Sequence, residues 1–149
     1  MRVVVQRVSS ARVRVDQVIT GAIGKGLVVL LGVRAEDDQA SADYLVDKVL
    51  GLRIFPDDQD KMNRSVVDVG GALLVVSQFT LYGDVRRGRR PAFDRAARPD
   101  AARRLYDYFV QQALATGIHV ETGVFQAMME VELVNQGPVT ILLDSEKVI

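Results

Sequence analysis

Three stretches hold residues whose types and spacing could do chemistry. The first is Ser77-Gln78-Phe79-Thr80-Leu81, which closes an apolar run, Ala72 to Val76, that reads as a buried strand. In an extended chain Gln78 and Thr80 point one way and Ser77 and Phe79 the other. Two readings are open. The strand simply emerges into solvent, or it ends in a site where backbone N–H groups and the Gln or Thr side chain stabilise a developing oxyanion. Thr80 carries a hydroxyl that could act as a nucleophile, but no base lies near it in sequence.

The second stretch is rich in arginine. Arg86, Arg87, Arg89, Arg90, Arg95 and Arg98 stand against Asp84 and Asp94, a local charge of +4. It is a solvated loop or a phosphate-contacting patch, with Tyr82 and Phe93 as stacking partners. The third is Gly137-Pro138, set between strand-like runs. Proline gives no N–H to a sheet ladder. The dipeptide is therefore a bulge or strand break, or it presents rigid backbone, bare at Gly137, to something that must approach closely. Either peptide isomer is open to it.

What is missing narrows the chemistry. The chain has no cysteine, which excludes a thiol nucleophile, and one histidine, His119, in a stretch that reads as a strand, where a structural or surface role is expected. A multi-histidine metal site is excluded with it. Glu130 and Glu132 share a strand face and could hold a metal or do acid–base work. Their alternation with Val131 and Leu133 fits an ordinary solvent face better. Gly21 to Gly26 lacks the Ser or Thr of a phosphate loop, and Phe55 to Asn63 lacks the glycine and closing glutamate of a calcium loop. Both read as turns.

The elements that must position these residues follow from periodicity. Arg2 to Asp16 alternates around a Ser9-Ser10 break and predicts a hairpin, continued by strands through Val33. Glu36 to Gly51 predicts a helix with a stripe of Ala42, Leu45, Val46, Val49 and Leu50. A second helix is expected from Pro99, with Ala102, Leu105, Tyr106, Phe109, Ala113 and Leu114 on one face and Gly117 as its stop. Up to three strands follow. Seven or eight strands and two helices predict an α/β fold, one domain over residues 1–149. Its mixed, mainly antiparallel sheet layers carry both helices on one side, and further β-structure or a partner covers the other.

Composition sets the remaining bounds. Of 149 residues, 48% are apolar, enough for a core, and net charge is zero, so any nucleic-acid contact must be local. The longest apolar run, Leu27 to Val33, is too short to span a bilayer, and the first residues do not pattern as a signal peptide. With no cysteines, a cytoplasmic protein is the expectation.

Taken together, "SQFTL" at 77–81 and "NQGPVT" at 135–140 resemble the signature pair of the D-aminoacyl-tRNA deacylases. "GLVVLLGV", "LGLRIF", "RRPAF", "LYDYF" and "TGVFQAMM" extend the likeness along the chain. The resemblance implies a cytoplasmic homodimer without metal or cofactor. It would hydrolyse the ester between a D-amino acid and the 3′-terminal ribose of tRNA, and glycine mischarged on alanine tRNA. It implies that Ser77, Gln78, Phe79 and Thr80 form the catalytic wall. Gly137 and Pro138, a cis dipeptide from the partner protomer, with Asn135 and Met129, would bind substrate and select its chirality. Arg86, Arg87, Arg89 and Arg90 would contact RNA. For the chemistry, the family offers Thr80 as a nucleophile or the tRNA's own 2′-hydroxyl as the activating group. The missing base favours the hydroxyl. The sequence departs from the family at Gln126, where a small residue is expected, at Ala92, where Ser is common, and at the Arg98 cap position. Two other classes remain: a non-catalytic RNA-binding module using the arginine segment, and a metal-dependent esterase using Glu130 and Glu132.

Overall fold

The alternating pattern at the start of the chain forms one long strand rather than a hairpin. In the computed structural model, which describes residues 1–149, β1 spans Arg2–Val15. The Ser9-Ser10 break is a bend inside it, where pairing with its neighbour slips twice, between Gln6 and Val8 and between Val8 and Ser10. The bend changes which face the strand buries. Val3 and Val5 enter one core, and Val8, Ala11 and Val13 enter another. The hairpin turn comes later, at Asp16-Gln17, leading into β2 (Val18–Ile23) with Val15 paired to Val18. Both turn residues have positive φ, 49° and 67°, as a tight two-residue loop demands.

Next come β3 (Gly26–Gly32), α1 (Gln39–Gly51), a small hairpin of β4 (Phe55–Pro56) and β5 (Met62–Arg64), and β6 (Ala72–Ser77). After a single 3-10 turn at Phe79–Tyr82 follow α2 (Pro99–Ala115), β7 (His119–Thr122) and β8 (Glu130–Asp144). The main sheet is mixed. β1 pairs antiparallel with β2, β3 and β8, while β3–β6 and β6–β7 are parallel. The parallel pairs need crossovers, and α1 and α2 supply them.

Both helices lie on one face, as expected. Ala42, Leu45, Val46 and Val49 of α1 and Ala102, Tyr106, Phe109, Val110 and Ala113 of α2 pack with Leu27, Val29, Leu31, Leu73 and Val75. The opposite face, Val28, Leu74 and Val76, is covered by Val8, Ala11, Val13 and Ile23, with Met129, Val131 and Leu133 packed against them. The bent outer half of β1 thus folds back over the sheet it starts in.

Two local expectations change. α1 starts at Gln39, so the acidic residues precede it. Asp38 is the cap, accepting from the Ser41 N–H at 3.0 Å while the Ser41 hydroxyl accepts from Asp38 at 3.3 Å. In α2, Val110 is buried where Leu114 was expected, because the stripe 102-106-109-110-113 drifts past Leu114 at the last turn. The C-terminal region makes two strands, with Gly137-Pro138 inside the second. Arg98 caps α2 with no side-chain hydrogen bond, and Gly117 turns the chain with φ +89°.

Candidate active site

Ser77 is the last residue of β6. The sheet ladder continues only to Gln78, whose N–H donates to Leu31 O at 2.8 Å. Phe79 to Tyr82 then coil into the 3-10 turn, so the strand alternation expected for Gln78 and Thr80 does not hold. Gly32 makes room for this coil. A Cβ there would meet Gln78 O at 3.0 Å and the Leu81 Cβ at 3.1 Å. Arg2 holds the turn from the other side, donating to Leu81 O at 3.3 Å.

The coil lines a cavity of ≈ 710 Å³. It lies at the carboxyl ends of parallel strands β3 and β6, the usual seat of a ligand in open α/β sheets. Ser77, Gln78, Phe79 and Thr80 form one wall and Met129 part of another. The start of α2 and the segment Phe125 to Met128 close the rest. Phe79 and Phe93 meet edge to face at its rim, with ring centroids 4.9 Å apart, and Phe79 is 55% exposed. Gln126, where the resemblance implies a smaller residue, has φ +66°, the left-handed region that favours glycine. No side chain lining this cavity is ionisable.

Thr80 fits a nucleophile poorly. The Gln78 side-chain amide donates to its hydroxyl, and an amide is no base. His119 is exposed at the start of β7 and pairs with Glu121 at 3.2 Å. The N–H groups of Phe79 and Thr80, at the start of the turn, have no acceptor within it, and no other acceptor in the chain takes them.

Gly137 and Pro138 lie elsewhere. On β8, Asn135 pairs with Val8 and Thr140 with Gln6, so the four residues 136–139 stand opposite Arg7 alone. They loop outward, and the Gly137-Pro138 peptide is cis. Asn135 closes the loop's base. Its Oδ1 accepts from Val139 N–H at 2.8 Å, and its Nδ2 donates to Thr140 Oγ1 at 3.1 Å. Arg7, which sequence reasoning missed, braces the loop by donating to Gln136 O at 2.9 Å and Ile54 O at 2.6 Å. A Cβ on Gly137, where φ is +136°, would come within 3.0 Å of the Arg7 guanidinium. Within one chain, none of Asn135, Gly137 and Pro138 lines the cavity.

The arginine segment divides. Arg86 is tied to Asp84 at 2.6 Å, and this bond holds the Asp84 carboxyl down at about 2. Arg87, Arg89 and Arg90 are exposed and do not line the cavity. Tyr82, expected to stack on bases, is buried under Arg2 and Arg95, so only Phe93 is left for that role. Glu132 is likewise engaged by Arg12 and Arg14, the Arg12 bond first among the causes that hold its carboxyl below the ordinary range. No group of three His, Cys, Asp or Glu side chains comes together to hold a metal, so the Glu130–Glu132 pair gains no third ligand. No helix is long and apolar enough to cross a membrane.

Against known proteins, residues 4–144 match the family model described as D-Tyr-tRNA(Tyr) deacylase. The chain is 67% identical over 147 residues to a D-aminoacyl-tRNA deacylase of Symbiobacterium thermophilum, covering 99% of this chain and 97% of that protein. It is also 67% identical to one of Koribacter versatilis, covering 99% of each. A solved structure described as a c-Myc DNA unwinding element binding protein superposes with a TM-score of 0.92 at 40% identity, covering 97% of this chain and 98% of that one. A probable eukaryotic D-amino acid tRNA deacylase, 20% identical, shares the fold with a TM-score of 0.82 over 96% of this chain and 98% of its own.

Proposed function

As the chain belongs to the D-Tyr-tRNA(Tyr) deacylase family, we propose that its 149 residues act as one deacylase domain in a cytoplasmic homodimer. It hydrolyses the ester joining a D-amino acid to the 3′-terminal ribose of tRNA, releasing the free amino acid and tRNA. Glycine mischarged on alanine tRNA is a second substrate. The observation that carries this reading is the cavity at Ser77 to Thr80, which no ionisable side chain lines.

Such a cavity suits a substrate that brings its own catalytic group. The vicinal 2′-hydroxyl assists water in attacking the ester carbonyl. The 3′-oxygen then leaves carrying a proton. The free N–H groups of Phe79 and Thr80 face the charge that develops on the carbonyl oxygen. Gln78 and Thr80, joined to each other, orient the ester. The Phe79–Phe93 pair offers the aromatic surface for the terminal adenine.

Chirality needs a separate element. Rejecting the L ester by about ten-thousandfold takes about 5.5 kcal/mol. A hydrophobic pocket separates single groups by only about 1–3 kcal/mol. A fixed backbone that collides with the wrong enantiomer exceeds that limit. In our reading the outward loop at Gly137-Pro138 enters the partner's cavity, beside Met129, and walls off the side where an L side chain projects. Glycine has no Cβ to collide and passes. The braces from Asn135 and Arg7 support a loop stiff enough for this task. Arg87, Arg89 and Arg90 meet the phosphates of the acceptor arm. Incubation with D-tyrosyl-tRNA and L-tyrosyl-tRNA is the test. Release of D-tyrosine alone is expected, and release of neither, or of both equally, would sink the proposal.

A further inference from the structure

A second concavity, ≈ 430 Å³, shares Phe125 with the first. Arg103, Tyr106, Asp107, Val110 and Gln111 of α2 form one bank, and Thr122 to Phe125, beyond β7, form the other. That shared ring makes the two concavities neighbours on the surface. Tyr106 fixes the ring from below, with centroids 5.8 Å apart, and its own hydroxyl donates to Val75 O at 2.7 Å. The Arg103 guanidinium sits over the same ring at 5.8 Å.

We propose that this groove holds the penultimate nucleotide of the RNA 3′ end, a cytidine, and so reads one base beyond the scissile ester. The inference rests on the reading of the first cavity as the seat of the terminal adenosine. A guanidinium lying over an aromatic ring presents its own outer plane as a base-stacking platform. Arg103 and Asp107 are only loosely paired, at 3.9 Å, with side chains 63% and 62% exposed, so each is free to take another partner. A carboxylate accepts the exocyclic amine of cytosine, a donor that uracil lacks. Gln111 adds an amide that can both give and accept. The arginine-rich loop offers charge without such a slot, which suits it to phosphate rather than to a base.

The test compares D-tyrosyl-tRNA with D-tyrosyl-adenosine, which has no second nucleotide. Arg103→Ala is expected to lower kcat/KM on the tRNA by about tenfold, the scale of one stacked base, with the loss confined to that substrate. Arg103→Lys, which keeps charge but not the plane, should not restore it. A tRNA abasic at the penultimate position should cost the wild type the same factor and leave Arg103→Ala nothing further to lose. Equal losses on both substrates, no loss on either, or full additivity with the abasic tRNA would overturn the proposal. If the wild type cleaves neither ester, the assigned activity fails, and the groove is judged by binding alone. The trinucleotide CCA should then bind more tightly than CUA, with the difference removed in Asp107→Ala, which leaves no acceptor there. Equal affinity would end the proposal.

Discussion

At Thr80 the choice between two chemistries comes down to one hydrogen bond. The hydroxyl is joined to the Gln78 amide and to no carboxylate, imidazole or amine. A nucleophile needs a group that takes its proton, and none is there. Thr80→Ala should therefore retain deacylation within about tenfold, the cost of a lost neutral orienting contact. Single-turnover release of D-tyrosine reads this. A loss of several orders of magnitude would restore the covalent route. The absence of a base was legible in a sequence with one histidine and no cysteine. Arg7 was not legible. It looks like any polar residue of an alternating strand, and its role appears only once β8 loops out opposite it.

Among the elements, those set by periodicity could be read and those set by long-range pairing could not. Both helices and the buried strand β6 followed from their apolar patterns. The bend in β1 did not, because Ser9-Ser10 marks a local break without saying that the strand resumes against the same neighbour. The 3-10 turn at Phe79 was also hidden, since it depends on the room left by Gly32 on a different strand. The turn at Asp16-Gln17 carries its own prediction. Gln17 sits at φ +67°, where an L side chain costs about 1–2 kcal/mol and glycine costs less. Gln17→Gly should stabilise the protein by about 0.5–1 kcal/mol in urea unfolding. Destabilisation would mean that the turn is held differently. Asp144 joins the end of β8 to the start of β1. Burial pushes its carboxyl up, but Arg2, donating at 2.7 Å, the Glu146 N–H and nearby positive charge hold it below 3.8. A carboxyl held low stabilises the fold fully above its ordinary value and loses that effect as pH falls through its folded value. Asp144→Asn should therefore melt lower than wild type at neutral pH. The gap should narrow from about pH 4 downward and close once pH lies below the folded value, and a gap that does not narrow would rule out the ionised group as its source.

For the molecule as a whole, one fact organises the account. The two signature segments lie at different places in the chain, one lining a cavity and the other looped out of a long edge strand. A second copy is the economical way to unite them. Its formation should give a particle of twice 16.4 kDa by light scattering at assay concentration. A stable, active monomer would leave the loop without a cavity to wall. The most direct measurement concerns the cavity itself, which brings no acid or base to the ester. D-tyrosyl-tRNA ending in 2′-deoxyadenosine, compared with the normal substrate in a single turnover, isolates the group said to replace them. Cleavage reduced by about two orders of magnitude or more is expected, the scale of a missing acid–base group. Undiminished cleavage would contradict the account and return the chemistry to the protein.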